Sequence, residues 1–190
     1  IAASLRALVR PDPQPVHLEG LPRERLATVL WRCPRCLAEP AWRAAALACD
    51  GCGARWEGTP EGLLAGPDGP ARTLAEVAAR VWAAPEPGPL QVEAEGFRER
   101  SPDRPIGPLE SLGRGTLTVD ASALRFGELS LPLHHIRSTG TERNDTLQVA
   151  TADGMWQFRT GTGSAFRLQL ALDRWRPRRP LRSAPARWRP

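Results

Sequence analysis

The four cysteines of this 190-residue chain form two pairs with the same internal spacing, Cys33-Pro-Arg-Cys36 and Cys49-Asp-Gly-Cys52. Each C-x-x-C pair can fold its backbone into a knuckle that directs two thiolates at one ion, and the second knuckle can then face the first. Four thiolates at about 2.3 Å fill the coordination sphere of zinc and leave no position for water. The spacing therefore predicts one structural zinc ion, without Lewis-acid chemistry, held by Cys33, Cys36, Cys49 and Cys52.

Two disulfides or a redox-active pair are the alternatives for these cysteines. They fit less well, because nothing else marks the chain as secreted or thioredoxin-like. Gly53 directly follows the second pair, where its freedom lets backbone amides approach the sulfurs, whereas Leu37 holds the equivalent position after the first pair. Trp31, Trp42 and Trp56 flank the pairs, and we expect them to pack around a unit that is too small to have much core of its own.

Residues that could carry catalysis do not assemble into a motif. His134 and His135 are adjacent, and adjacent side chains of a strand point to opposite faces, so we interpret them as polar residues at a strand end. His17 has no partner nearby in sequence. We interpret Pro60-Glu61-Gly62 as the turn at the end of the cysteine-containing unit, a zinc ribbon. Nucleophile elbows, phosphate-binding loops and dinucleotide-binding glycine motifs are absent. The sequence therefore assigns no catalytic residue and no residue that binds an organic cofactor.

The chain divides by composition into five segments. Its 20 prolines and 17 glycines favour small units joined by irregular stretches. We predict a connector at 1–20, a zinc ribbon at 21–65, a helix and Pro-rich linker at 66–111, a β domain at 112–176 and an Arg/Pro-rich tail at 177–190. Strands of the ribbon are expected at 29–32, 44–48 and 54–57.

A helix is predicted from Leu74 to Trp82, because Thr73 and Glu76 have the spacing of a capping box and Pro85 stops the helix. Residues 84–108 contain six prolines and are interpreted as an extended linker, with a short strand at 90–92 as an alternative for part of it.

Alternation of apolar and polar residues replaces helical spacing after residue 112. It predicts short strands at 116–119, 123–126, 128–133, 147–150 and 155–158, and Asp153-Gly154 suits a tight hairpin. Ser164 can cap a final helix with one apolar face, formed by Ala165, Leu168, Ala171, Leu172 and Trp175. The predicted fold class is α+β, mostly β: a four-cysteine zinc ribbon, a capped helix, a Pro-rich linker, and an antiparallel β domain with a C-terminal helix. That element order resembles the pleckstrin-homology (PH) or GRAM-like architecture.

The formal net charge of +5 comes from the end of the chain. Six arginines and no acidic residue lie in this tail: Arg176, Arg178, Arg179, Arg182, Arg187 and Arg189. Without these six positive charges, the rest of the chain has a formal net charge of −1. Nucleic acid is therefore an unfavoured partner. The tail, with Trp188, could contact an anionic membrane surface, and a solvated terminus is the alternative. The absence of a bilayer-length apolar run and of a signal peptide predicts a cytoplasmic protein, with peripheral attachment to the inner membrane through the tail.

Three segments together resemble the C-terminal extension of some bacterial 1-acyl-glycerol-3-phosphate acyltransferase family proteins. They are RLATVLWRCPRC at 25–36, CDGCGARW at 49–56 and LGRGTLT at 112–118. The resemblance covers residues 21–176, in the order ribbon, helix, linker and β domain. The family's catalytic His-x4-Asp signature is absent here, because Pro22, Thr139 and Gly140 stand five residues after the three histidines.

The family's Glu-Gly-Thr motif, which holds the acceptor phosphate, is also absent, because Leu63 follows Glu61-Gly62. The resemblance thus implies a non-catalytic accessory region of a phospholipid-synthesis enzyme, whose partner is an upstream catalytic domain of the same polypeptide. Ile1 at the first position agrees with a piece of a longer chain. A free-standing zinc-ribbon adaptor that binds protein or nucleic acid is the alternative function.

Overall fold

The computed structural model describes residues 28–39, 47–99, 108–161 and 163–177. The chain divides into two units, Ile1–Pro85 with Thr162–Arg167 and Glu86–Gly161 with Leu168–Pro190. Most elements of the described residues are strands, and two α-helices of ten and eleven residues accompany them. The predicted α+β, mostly β, fold class is confirmed.

The first unit contains a small antiparallel sheet in the order β1-β2-β3. Its strands are β1 (Leu47–Ala48), β2 (Arg55–Gly58) and β3 (Leu64–Ala65). The turn between β2 and β3 holds Pro60-Glu61-Gly62, in which the Gly62 N–H donates to the Thr59 carbonyl at 3.0 Å and Gly62 has a φ of 76°. The turn interpretation of this tripeptide is confirmed, although the turn joins two strands of the ribbon rather than leaving it.

The strand predicted at residues 29–32 is wrong. Thr28 and Val29 are helical, and residues 30–32 belong to no strand. Leu30 and Trp31 are both buried, so this stretch lacks the two-residue alternation of a strand. The Val29 carbonyl accepts a hydrogen bond from the Trp82 indole at 3.0 Å. Residues 29–32 are therefore held by the burial of Leu30 and Trp31 and by this hydrogen bond from Trp82, and not by pairing in a sheet.

Helix α1 (Leu74–Ala83) begins with the predicted capping box. The Glu76 N–H donates to the Thr73 hydroxyl at 3.2 Å, and the Thr73 N–H donates to the Glu76 carboxylate at 2.8 Å. Val77 and Val81 lie on the buried face. These reciprocal bonds satisfy two amides that a helix start leaves without partners.

Helix α2 (Ala165–Trp175) has the predicted cap as well, because the Arg167 N–H donates to the Ser164 hydroxyl at 3.0 Å. Its Phe166 ring contacts two tryptophans of the first unit edge to face, with centroids 6.2 Å from Trp31 and 5.2 Å from Trp82. These aromatic contacts give the first unit a core beyond its cysteines.

The second unit is built on a seven-stranded antiparallel sheet in the order β7-β6-β5-β4-β10-β9-β8. Its strands are β4 (Leu90–Glu99), β5 (Leu109–Val119), β6 (Ala123–Phe126), β7 (Leu129–Pro132), β8 (Ser138–Glu142), β9 (Thr146–Ala150) and β10 (Met155–Arg159). Leu168, Ala171 and Leu172 of α2 are buried in this unit. Seven antiparallel strands followed by a helix confirm the PH-like element order.

The linker prediction is wrong for residues 90–99, which form all of β4 and pair with both β5 and β10, and the short strand given as the alternative at 90–92 is the start of β4. Leu90, Ala94 and Gly96 are buried on one face of the strand, but the last two are small, so the alternation of apolar and polar residues is weak in the sequence. A Cβ on Gly96 would lie 2.5 Å from the Phe126 ring. The small residue is required because the ring lies directly on this strand.

Strand β8 was not predicted, because its sequence Ser-Thr-Gly-Thr-Glu contains no apolar side chain. It forms through a tight turn to β9, in which Arg143 and Asn144 have φ angles of 52° and 62°. Two consecutive positive φ angles give the type of turn that matches the twist of a two-stranded hairpin. The predicted hairpin at Asp153-Gly154 is confirmed between β9 and β10.

Candidate metal centre

The first cysteine pair lies on a tight backbone loop. The Leu37 N–H donates to the Cys33 carbonyl and the Cys33 N–H donates to the Ala38 carbonyl, each at 2.9 Å. The Arg35 and Cys36 amides point at the Cys33 sulfur, at 3.3 and 3.4 Å from Sγ. Backbone amides directed at a sulfur stabilise its thiolate form, which is the form that binds metal.

The second cysteine pair repeats this loop. The Gly53 N–H donates to the Cys49 carbonyl and the Cys49 N–H donates to the Ala54 carbonyl, each at 2.8 Å. The residue after each pair has a positive φ, 62° at Leu37 and 69° at Gly53. Two loops with the same hydrogen bonds therefore present the four cysteines.

The four Sγ atoms converge, and all lie within 4.8 Å of one another. Cys33 Sγ is 3.6 Å from Cys52 Sγ, and Cys36 Sγ is 3.7 Å from Cys49 Sγ. Four sulfurs at about 2.3 Å from a tetrahedral zinc ion are separated by about 3.8 Å. The cluster can hold one metal ion, and all four residues predicted from the sequence contribute a ligand atom.

Burial divides the cluster into an inner and an outer half. Cys33 and Cys49 are buried, at 0% and 2% exposure, whereas Cys36 is exposed and Cys52 is half-buried. Burial raises the pKa of the Cys33 thiol to about 12. A hydrogen bond with the backbone of Ala38 lowers the pKa of Cys36 to about 7. A cation among the sulfurs would counter the cost of ionising the buried thiol, and its binding would release protons.

The surroundings of the cluster lie in the same unit. Arg35 forms an exposed ion pair with Asp68 at 3.3 Å, and the buried Arg32 donates to the Pro85 carbonyl at 2.8 Å. Trp56 is 3% exposed, and its indole is so close to Gly66 that a Cβ there would lie 2.4 Å from Nε1. Trp31 and Trp56 therefore have the predicted packing role, and Trp42 lies outside the described residues.

The histidines are placed differently from the prediction. His134 and His135 lie in a 3-10 helix (Leu133–His135) rather than at a strand end, and their ring centroids are 4.3 Å apart. The argument that they point to opposite faces is therefore wrong. His17 lies outside the described residues. Among the described residues, the four cysteines form the only group of three or more His, Cys, Asp or Glu side chains that converges closely enough to hold a metal ion.

The second unit has a cavity of about 210 Å³ that the sequence did not indicate. It lies beside Phe97, and its charged residues are Glu142, Asp145, Arg143 and Arg159. Two acidic and two basic residues give no preference for an ion of either sign. Arg159 also pairs with Glu95 at 3.6 Å and lies over the Phe97 ring. We assign no catalytic role to this cavity.

Within the described parts of the chain, no helix is long and apolar enough to cross a membrane.

Comparison with solved structures shows a distant structural likeness. No protein-family model matches the chain, and no curated protein matches its sequence. The solution structure of the N-terminal PH domain of ARAP2 protein from human is similar to it, with 10% sequence identity and a TM-score of 0.31. The likeness covers 55% of this chain and 97% of that domain. At this TM-score it carries no argument about ligand or activity.

Proposed function

We propose that Cys33, Cys36, Cys49 and Cys52 bind one structural zinc ion, and that the chain is a zinc-stabilised interaction region without catalysis of its own. The convergence of four sulfurs within 4.8 Å on two matching loops is the observation that carries the proposal. Four thiolates complete the coordination of zinc, so the ion has no position for a substrate or a reactive water.

The small sheet of this unit offers little stability of its own, which a bound zinc ion would supply. The three strands of its sheet have two, four and two residues, so sheet pairing alone stabilises it little. Structural zinc sites supply apparent binding energies of about 10 to 16 kcal/mol in small folded units, strongly dependent on pH. The metal would thus account for much of the stability of residues 28–85.

Metal analysis of the purified full chain tests this proposal. We expect one zinc per chain, and we expect Cys33→Ser and Cys49→Ser, which alter the buried half of the cluster, to lower the zinc content. Removal of the metal with a chelator should make residues 28–85 sensitive to protease, with peptides of the seven-stranded sheet as the internal comparison. Unchanged protease protection after zinc removal would contradict a structural role for the metal.

A finer proposal is that this region is the accessory part of a bacterial phospholipid-synthesis acyltransferase, with its catalytic domain upstream as partner. It is supported only by the resemblance of residues 25–36, 49–56 and 112–118 to that family's C-terminal extension. The coding sequence before Ile1 should then specify a His-x4-Asp domain, and the present chain alone should not transfer acyl groups to lysophosphatidic acid. Turnover by this chain alone, or an upstream sequence without such a domain, would contradict it.

We propose the Arg-rich tail as the contact with an anionic membrane surface, since its charge is concentrated in one short segment with Trp188. Truncation after Arg176 removes this segment, with five of the six arginines and Trp188. It keeps the Arg176 N–H that donates to the Leu172 carbonyl at 2.8 Å and the ion pair of Arg176 with Asp173 at the end of α2. Binding to vesicles that contain an anionic phospholipid should fall on truncation and with added salt, because such attraction acts over about 8 Å at physiological ionic strength. Equal binding by both chains would contradict the membrane role, and a preference for duplex DNA would favour the adaptor function.

A further inference from the structure

Exposure to solvent differs among the four cysteine residues of the metal centre and is greatest at Cys36. Cys36 is exposed, Cys52 is half-buried, and Cys33 and Cys49 are buried. Zinc-bound thiolates remain nucleophilic toward oxidants, and their susceptibility follows thiolate character and exposure. Attack from solvent is therefore directed to Cys36.

Two close sulfur contacts cross from one loop to the other, in a cluster whose four Sγ atoms all lie within 4.8 Å of one another. Cys36 Sγ contacts Cys49 Sγ at 3.7 Å, and Cys33 Sγ contacts Cys52 Sγ at 3.6 Å. Each contact joins one cysteine of the first pair to one of the second. A disulfide requires about 2.05 Å between its sulfurs, so each contact needs an approach of less than about 2 Å to become covalent.

We propose that the centre is a peroxide-sensitive switch in which oxidation of Cys36 joins it to Cys49 and releases the zinc ion. This inference rests on the zinc binding proposed above. The cross-linked form keeps the two loops joined where the metal had joined them. Oxidation would thus replace one link by another, with loss of the metal, rather than separate the loops.

The chemistry balances with peroxide as the oxidant. The Cys36 thiolate attacks one oxygen of hydrogen peroxide, the O–O bond breaks, and hydroxide leaves while Cys36 becomes a sulfenic acid. The Cys49 sulfur then attacks the Cys36 sulfur, and the S–O bond breaks with loss of a second hydroxide. Two thiolates, one peroxide and two protons give one disulfide and two waters. The disulfide would leave only the Cys33 and Cys52 thiolates to hold the ion, which would dissociate as Zn²⁺ without a change of oxidation state.

The test uses the zinc-loaded full chain and limiting hydrogen peroxide, with released zinc followed by a chromophoric chelator. Remaining thiols are alkylated, and disulfides are mapped by mass spectrometry without reduction. We expect zinc release to parallel formation of Cys36–Cys49, with Cys33–Cys52 as the second disulfide. Prior formation of Cys33–Cys36 or Cys49–Cys52, within one loop, would overturn the proposal, as would zinc release without a disulfide.

Two further measurements use the unsubstituted chain, so they do not require a cysteine variant that folds. Brief alkylation of the unoxidised zinc-loaded chain should label Cys36 before the other three cysteines, and first labelling of Cys33 or Cys49 would contradict the assigned exposure. The reduced metal-free chain, treated with a thiol oxidant, should give the same cross-loop map. Failure of the chain to bind zinc would overturn the proposed function and the zinc-release step. The disulfides mapped in the metal-free chain would still show whether Cys36 pairs with Cys49.

Discussion

Leu37 and Gly53 occupy the same position in the two cysteine loops and share the same left-handed backbone, with φ angles of 62° and 69°. Each donates its N–H to the carbonyl of the first cysteine of its pair. Glycine adopts this conformation without strain, whereas for other L-residues it costs roughly 1 to 2 kcal/mol. The hydrogen bonds of the cysteine loop therefore hold Leu37 in a backbone conformation that is unfavourable for leucine.

Leu37→Gly should leave zinc affinity equal or higher, because it relieves this strain, whereas Leu37→Val should lower it, because a β-branched residue is more strongly disfavoured at positive φ. Chelator competition measures both. Gly53→Ala is the matched control in the other loop: its Cβ would meet no atom within 4 Å, so any loss comes from backbone conformation alone. Equal affinities for the glycine and valine variants would contradict the strain at Leu37.

The cysteine spacing was sufficient to predict the convergence of the four cysteines, because each C-x-x-C pair fixes the loop that presents its two sulfurs. The capping box at Thr73 and the strand at residues 123–126 were equally local signals. Strand β4 could not be recognised fully, because Gly96 and Ala94 are buried without being strongly hydrophobic. Gly96 packs against the ring of Phe126, which lies thirty positions away in the sequence. Strand β8 likewise depends on its partner and turn rather than on its own side chains.

Gly96→Ala should destabilise the seven-stranded sheet by about 1 to 3 kcal/mol, because its Cβ would lie 2.5 Å from the Phe126 ring. Gly115→Ala is the matched control, since its Cβ would be 3.8 Å from the same ring, an ordinary contact. Denaturant unfolding measures both. In a Phe126→Leu background the penalty of Gly96→Ala should fall, and an unchanged penalty would show that its cause is not the ring.

Thr73→Ala should lower stability by about 1 kcal/mol, because it removes the acceptor for the Glu76 N–H at the start of α1. Thr73→Ser keeps a hydroxyl at this position and should retain most of the stability. Thermal or denaturant unfolding of the zinc-loaded chain compares the three proteins. A serine variant as unstable as the alanine variant would indicate that the threonine methyl group, and not the cap, is responsible.

Asp120 should contribute stability that depends on pH. Hydrogen bonds from Ser122, followed by the Arg125 ion pair, hold the pKa of this carboxyl well below its usual range. Its contribution is fully present above the ordinary aspartate pKa of about 4, and it is lost as the pH falls through the lowered folded value. Asp120→Asn should therefore be less stable than the unmodified chain at neutral pH, and the difference should shrink below about pH 4.

Asp153→Asn controls for the loss of one negative charge, because Asp153 is exposed and its carboxylate has no recorded bond to the described residues. Denaturant unfolding of both variants and the unmodified chain, compared at each pH, isolates the Asp120 contribution. A difference between Asp120→Asn and the unmodified chain that stays constant from pH 7 to the acid limit of folding would contradict this linkage.

X-ray absorption at the zinc edge of the purified full chain tests the four-thiolate centre most directly. We expect four sulfur neighbours at about 2.3 Å and no nitrogen or oxygen in the first coordination shell. It also predicts one zinc per chain, since all four Sγ atoms of the cluster are required for one ion. Three or fewer sulfurs with a light-atom ligand, or zinc well below one equivalent with disulfides between the cysteines, would contradict it.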